Sequence, residues 1–374
     1  MISRELIDEL SWEIVELYER CENNLLRLII KQAKRGADLT GERLEWDMTK
    51  LRDLGGLTKK AIAEIAQTSK KARDQLPKIL LEIAKEAIAK DGLEGGMTDG
   101  IFRAVQALQS QATDNLNLVG TVMLSGTQTS FNQFVNMLTN ERNRILSEKA
   151  VGLVTGTSTF EESVASAIKQ MSREGITAFQ DRAGRSWSPE GYVSMDMRTT
   201  SANVARKAVE AQANDFNLHV FQVSSHAGAR PKCERYQGHF YSDNQTYGKI
   251  TDAYGEEHEY EPVENTSYGQ PDGLFGINCG HDRIYVSEGF YNRRKPLTEE
   301  QLEENRKTYE RSQQQRAIER KIRRSEREAE NLKEAGYKGF SDIAKGQANK
   351  AKDEYRAFCS ETGRTPRWSR TKIY

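Results

Sequence analysis

Apolar residues recur every three or four positions through most of the first 213 residues, a pattern that predicts a succession of long helices. Leu10, Ile14, Leu17, Cys21, Leu25 and Leu28 form one stripe along a first helix. Gly36 and the pair Gly55-Gly56 stand as breaks after it. Ala61, Ile65, Ala72, Leu76, Ile79, Leu80 and Ile83 mark a second helical stretch, with Pro77 as a kink or restart inside it. Residues 92–96 are glycine-rich and punctuate the pattern, and 101–149 reads as another long helix rich in Gln, Asn, Thr and Ser. That polar surface favours packing on partners over a self-contained core. A helix over 157–175 opens with a Ser/Thr cluster and has Glu161 and Glu162 in its first turn. A turn-rich link at 181–189 contains Trp187, and Pro189 opens a helix that runs to about residue 213.

The helical period then stops. Residues 219–223 alternate as a strand does, 284–286 is a second strand candidate, and Gly, Tyr, Asn, Asp and Pro dominate between them. This segment has few aliphatic residues with which to build a core. After Pro296 a highly charged helix covers 298–335, where Leu302, Tyr309, Ile318, Ile322, Ala329 and Leu332 give only a thin apolar seam, as in a solvated or coiled helix. Gly336 and Gly339 break it, and a last basic helix precedes the tail 364–370. The fold expected is mainly α with a small loop-rich α+β domain. It divides into a helical, partner-binding region at 1–180, a small Cys/His domain at 181–295 and charged C-terminal helices with a basic tail at 296–374.

Composition narrows the function. The 374 residues carry 55 basic and 55 acidic side chains, so no whole-chain electrostatic case for nucleic acid exists and only local patches can make one. No run of about 18 apolar residues offers a membrane span, and the N-terminus does not read as a signal peptide; the expectation is a cytoplasmically made protein with no membrane partner. Four cysteines in such a chain do not suggest a disulfide framework. Cys21 and Cys359 read as small packing residues.

The other two cysteines belong to a cluster. All five histidines, His219, His226, His239, His258 and His281, fall between residues 219 and 281, together with Cys233 and Cys279. The best-spaced set is His226-x6-Cys233 followed by Cys279-x-His281. Two imidazoles and two thiolates match the tetrahedral preference of zinc, and Gly276, Asn278 and Gly280 allow the tight backbone that the second pair demands. A blander reading is two turn cysteines and several exposed histidines. The shortage of core aliphatics favours a structural zinc, whose binding energy would be folding energy. A catalytic zinc needs an open water position and a base, for which Glu234 and Asp282 are the candidates. His239 is a spare ligand candidate, and His219 and His258 read as surface or packing residues.

Three ordered blocks resemble the phage minor capsid protein 2 family. They are Ser225-His-Ala-Gly-Ala-Arg-Pro-Lys-Cys-Glu-Arg-Tyr-Gln-Gly238 with Tyr241-Ser242, then Gly273-Leu-Phe-Gly-Ile-Asn-Cys-Gly-His281, and upstream Gly184-Arg-Ser-Trp-Ser-Pro-Glu-Gly-Tyr-Val-Ser-Met-Asp-Met-Arg-Thr-Thr200. The charged helix with Arg316, Ile318-Glu-Arg320 and Ile322-Arg323 is similar to the family's C-terminal region. The likeness covers about residues 180–374, and the N-terminal half only by architecture. It implies a minor head component of a tailed phage or prophage, similar in role to the Mu protein F type of head morphogenesis proteins. Such a protein is expected inside the head near the portal, with the portal protein and major capsid or scaffold components as partners and a link to assembly and DNA packaging. His226, Cys233, Cys279 and His281 fall in the family blocks. Members often carry His where this chain has Cys233, a swap between two zinc ligands that favours a metal over a redox role. Arg198 and Gln237 also lie in these blocks; the role preferred for Arg198 is a buried arginine holding its helix to the small domain.

The leading expectation is therefore a structural and assembly protein that is not an enzyme. The alternative is a metal-dependent nuclease or other hydrolase built on the Cys/His domain. Non-specific contact with packaged double-stranded DNA is expected through Arg316, Arg320, Lys321, Arg323, Arg324 and Arg327. The tail residues Lys350, Lys352, Arg356, Arg364, Arg367 and Arg370 add to that patch, with Tyr337, Tyr355 and Trp368 placed to stack on bases.

Overall fold

The computed structural model describes residues 4–37, 43–91, 96–150, 160–176, 179–180, 186–289 and 295–373. The Ser/Thr cluster before residue 160, most of the 92–96 glycine segment and residues 181–185 of the turn-rich link lie outside them. The fold is mainly α with a small α+β part. Helices α1 (Arg4–Ala37), α2 (Arg43–Asp91), α3 (Asp99–Ala150) and α4 (Phe160–Glu174) follow the apolar periodicity. A two-residue ladder of β1 (Phe179–Gln180) and β2 (Ser186–Trp187) precedes α5 (Pro189–Asp215). The charged C-terminal part forms α7 (Glu299–Glu334) and α8 (Lys338–Thr362).

Two expected interruptions are absent. α2 runs through Gly55-Gly56 and through Pro77 without interruption. Glycine lowers helix propensity by about 1 kcal/mol but does not forbid the conformation. Pro77 costs one ladder hydrogen bond, while Leu76, Ile79 and Leu80 around it are buried and hold the helix in place. At α5 the expectation holds: the Ser188 hydroxyl accepts from the Gly191 N–H at 3.1 Å, and Pro189 occupies the position where a missing N–H costs nothing.

Backbone contacts group the chain into two compact units. One comprises residues 1–15, 72–115 and 193–314, the other 16–71, 116–192 and 315–374. Both cut across the boundaries at 180 and 295 suggested by sequence texture.

The first unit contains the mixed sheet. Between α5 and α7 lie β3 (Val220–Val223), the one-turn helix α6 (Pro231–Glu234), β4 (Phe240–Ser242), β5 (Gly248–Thr251), β6 (Glu257–Pro262) and β7 (Arg283–Tyr285). The strand order is β5-β6-β4-β3-β7. β3 is antiparallel to both neighbours, with Phe221 opposite Tyr241 on one side and Tyr285 on the other, and β4 and β6 run parallel. Aliphatic residues are scarce here, as the sequence indicates, and aromatic rings and arginines take their place. The Arg283 guanidinium lies 5.1 Å from the ring centres of both Phe221 and Phe275 and bonds Glu210 at 2.7 Å. Phe240, Ile250 and Val286 form a small apolar cluster beside Val220 and Tyr260.

Among the described residues, the second unit is mainly helical, with the β1–β2 ladder as its strands. Tyr18, Leu25, Leu26 and Ile29 of α1 are fully buried, and the Tyr18 hydroxyl donates to the Leu116 carbonyl at 3.2 Å. α2 and α3 approach closely at Gly120, where a Cβ would stand 3.1 Å from the Ile65 side chain. α7 is not a solvated helix in this unit. Ser325, Glu326, Arg327, Glu328, Ala329, Asn331 and Leu332 are all buried, because ion pairs replace the apolar seam the sequence lacks. Glu328 takes Arg173 at 2.6 Å, Glu326 takes Lys345 and Lys352 at 2.5 Å, and Asn331 donates to Ser172 at 2.9 Å. Among the described residues no helix is long and apolar enough to cross a membrane.

Candidate functional site

The two Cys/His blocks meet in the first unit. Cys233 sits on the single turn α6, which Pro231 starts, and its N–H bonds the Arg230 carbonyl at 2.8 Å. Cys279 and His281 lie on the loop that enters β7. That loop is a run of tight turns in which Phe275 and Asn278 hold positive φ. Gly273 is required in it: a Cβ there would collide with the Ser267 backbone carbonyl. The blocks are joined by Lys232 to Asp272 at 2.6 Å and by Arg230 to the Gly273 carbonyl at 3.4 Å.

The ligand atoms of Cys233, Cys279 and His281 fall within 4.8 Å of one another. The three residues are 1%, 5% and 1% exposed. Cys279 Sγ lies 3.3 Å from His281 Nδ1. Zinc bonds of ~2.3 Å to sulfur and ~2.0 Å to nitrogen place tetrahedral neighbours about 3.5 Å apart, so this spacing fits an ion between them. The His281 Nε2, across the ring from Nδ1, is buried without a hydrogen bond among the described residues. The thiols share their proton unequally. The hydrogen bond from Cys233 holds the Cys279 thiol well below its ordinary range against the opposing effect of burial, with His281 and the charge of Arg206 helping, whereas Cys233 is pushed up by its bond to Cys279 and by burial. A thiolate is the form that binds metal.

His226, the fourth predicted ligand, stands beside this group and not within it. Its ring centre is 4.4 Å from that of His281. Its Nδ1 lies 3.2 Å from the Ala227 carbonyl, and its Nε2 is buried. The Gln237 side-chain oxygen accepts from the His226 N–H at 2.7 Å and fixes the backbone there. This is what Gln237 of the Tyr-Gln-Gly element does. His239 does not join the group among the described residues; it is exposed on the turn before β4. His258 bonds Asp252 at 3.0 Å and stacks on Phe240, and His219 bonds Asp243 at 3.2 Å, both as packing residues do.

The role preferred for Arg198 belongs to another arginine. Arg198 pairs with Asp8 of α1 at 2.8 Å, and both line a small cleft with Asn278 and Cys279. Arg206, buried on α5, donates to the His281 carbonyl at 3.0 Å and to the Phe275 carbonyl at 3.3 Å, and so holds α5 to the ligand loop. Asn305 of α7 is the second missed residue. It clamps Ala229 through both backbone groups, at 2.8 and 3.0 Å, and bonds Glu234 at 2.9 Å. Arg306 takes the other Glu234 oxygen at 2.7 Å. The one sequence signal for Arg206 is its place on the apolar stripe of Ala202, Ala205 and Val209; Asn305 leaves no signal in a helix so rich in polar residues.

The basic patch is partly consumed within the second unit. Arg323 pairs with Glu190 at 3.0 Å and also donates to the Arg370 carbonyl. Arg327 is buried near Glu190 and Glu22, and Lys321 pairs with Glu354 at 2.6 Å. Arg320 and Arg324 are exposed, and Arg316 is half-buried. In the tail, Tyr355 is not available to stack on bases. It is fully buried, its hydroxyl donates to Glu319 at 2.7 Å, and it accepts from Gln315 and the Arg367 N–H. Trp368 packs edge-on against it with Arg356 over its own ring.

The model of the family described as phage minor capsid protein 2 matches residues 3–360. A protein of Lactococcus phage LL-H described as a structural protein is 24% identical over 332 residues, covering 83% of this chain and 84% of its own length. No solved structure matches. The match to the family model spans the helical N-terminal half as well as the Cys/His blocks, and the chain belongs to the phage minor capsid protein 2 family.

Proposed function

We propose that this chain is a non-enzymatic component of the phage head, placed inside near the portal, whose small domain is held together by a structural zinc ion. The observation that carries the metal reading is the buried meeting of Cys233, Cys279 and His281 in a segment poor in aliphatic core. His226, whose ring centre lies 4.4 Å from that of His281, would complete a tetrahedral set. The ion would supply cross-linking of two loops, with no part in bond breaking. Two features favour this over a metal hydrolase. The three ligands are buried, whereas a catalytic ion keeps a position open to water. Glu234, a candidate base, has both oxygens engaged by Asn305 and Arg306. On this reading the segment from β3 to β7, inside the first compact unit, is the metal-stabilised part, and the polar helices of 1–180 serve portal, capsid or scaffold partners.

The chain would also touch packaged DNA without sequence preference. Support for this contact is the pair Arg320 and Arg324, like charges one helical turn apart, which crowd each other and lower the Arg320 pKa after burial has done so. A polyanion would relieve that repulsion.

The head assignment is tested by quantitative mass spectrometry of purified virions and of their emptied heads. Retention of the chain at a few copies per particle, beside the portal protein in cross-linked fractions, is expected. Absence from finished particles would contradict it.

A further inference from the structure

α1, α5 and α7 bring three carboxylates and two guanidinium groups together inside the second unit. Glu19 and Glu22 come from α1, Glu190 from the first turn of α5, and Arg323 and Arg327 from α7. Arg323 reaches Glu190 at 3.0 Å, and Arg327 lies 3.6 Å from Glu190 and 3.9 Å from Glu22. Fully ionised, three negative charges would face two positive ones, leaving one negative charge uncompensated in the interior. A buried group in that position takes up a proton instead.

The three carboxylates are not equivalent. Glu190 pairs with both arginines. Glu22 accepts the Ile176 N–H at 3.1 Å, just after Gly175 ends α4 in a left-handed conformation, and also the Glu190 N–H. Glu19 is 0% exposed, and neither of its oxygens has a hydrogen-bond partner among the described residues. Ionised, it would be an acceptor with nothing to accept. Burial, and then the charge of Glu190, push Glu19 up to about 8; burial pushes Glu22 up as well, so the two titrate as a linked pair.

We propose that Glu19 is a buried proton-binding site: it holds the proton that balances this cluster at neutral pH, and the packing of α1, α5 and α7 in this unit weakens as the proton is withdrawn. The folded chain binds this proton more tightly than the unfolded chain, where a glutamate titrates near 4.5. Its contribution is complete below that value and is lost progressively as pH rises toward about 8, with little further loss beyond.

Urea unfolding of the full chain, followed by circular dichroism from about pH 5 to about pH 9, tests this against Glu19→Gln, whose amide stays neutral. Between roughly pH 5 and 7.5 the wild-type unfolding constant should rise about tenfold more per pH unit than the variant's. Equal slopes would overturn the proposal. Infrared difference spectra of the wild type supply a readout that does not depend on how the variant folds. A protonated-carboxylic-acid C=O band that persists at neutral pH and fades above about pH 8 supports the site, and its absence at neutral pH overturns it. A band kept in Glu19→Gln but lost in Glu22→Gln would place the proton on Glu22 and equally overturn the assignment.

Discussion

At the scale of single residues, the Cys/His group is held by side chains that do not belong to it. Arg206 fixes the loop of Cys279 and His281 through two carbonyls, Gln237 fixes His226, and Asn305 fixes the turn that carries Cys233. Asn305 makes three buried hydrogen bonds, and its loss would leave the Ala229 backbone and Glu234 under-satisfied. We expect Asn305→Ala to lower stability by about 1–3 kcal/mol in denaturant unfolding while leaving the cysteines in place. A change within experimental error would mean that the Ala229 turn is held by other contacts. The four ligand candidates could be read from residue type and spacing, because metal chemistry restricts the side chains to very few. Arg206, Asn305 and Gln237 could not, since backbone clamping is open to any long polar side chain and depends on a geometry that exists only once the chain is folded.

At the scale of elements, apolar periodicity located the long helices and two of the sheet strands. It failed where polar groups do the packing. α7 has almost no apolar seam, yet its second half is buried through Arg327, Glu328, Glu326 and Asn331, each paired with a partner distant in sequence. β5 and β6 escaped because their alternation is carried by charged and aromatic residues, as in Glu257-His-Glu-Tyr-Glu-Pro262. The same accounting narrows the basic patch of α7 to Arg320 and Arg324. Charge reversal at both, Arg320→Glu with Arg324→Glu, should leave unfolding within about 0.5 kcal/mol of wild type, as surface changes usually do. It should weaken binding to double-stranded DNA at low salt and reduce the slope of log affinity against log salt by about two. Unchanged affinity, or affinity insensitive to salt in the wild type, would remove DNA from the account.

At the scale of the whole molecule, texture and spatial grouping differ. Composition changes near 180 and 295, but α1, α2, α3, α5 and α7 each contribute residues to both compact units. Texture reports the local period of burial; it carries no record of which distant stretches share a core. The family match over residues 3–360 takes in parts of both units, and the chain is a phage minor capsid protein. On the proposed metal reading, an ion held by Cys233, Cys279 and His281 would staple a sheet region packed largely by aromatic rings and arginines. The most direct measurement is elemental analysis of the purified full chain, with Cys233→Ser and Cys279→Ser alongside, each also examined by circular dichroism. About one zinc per chain in the wild type, lost in both variants together with the sheet signal, is the predicted result. A metal-free wild type with its sheet intact would contradict it.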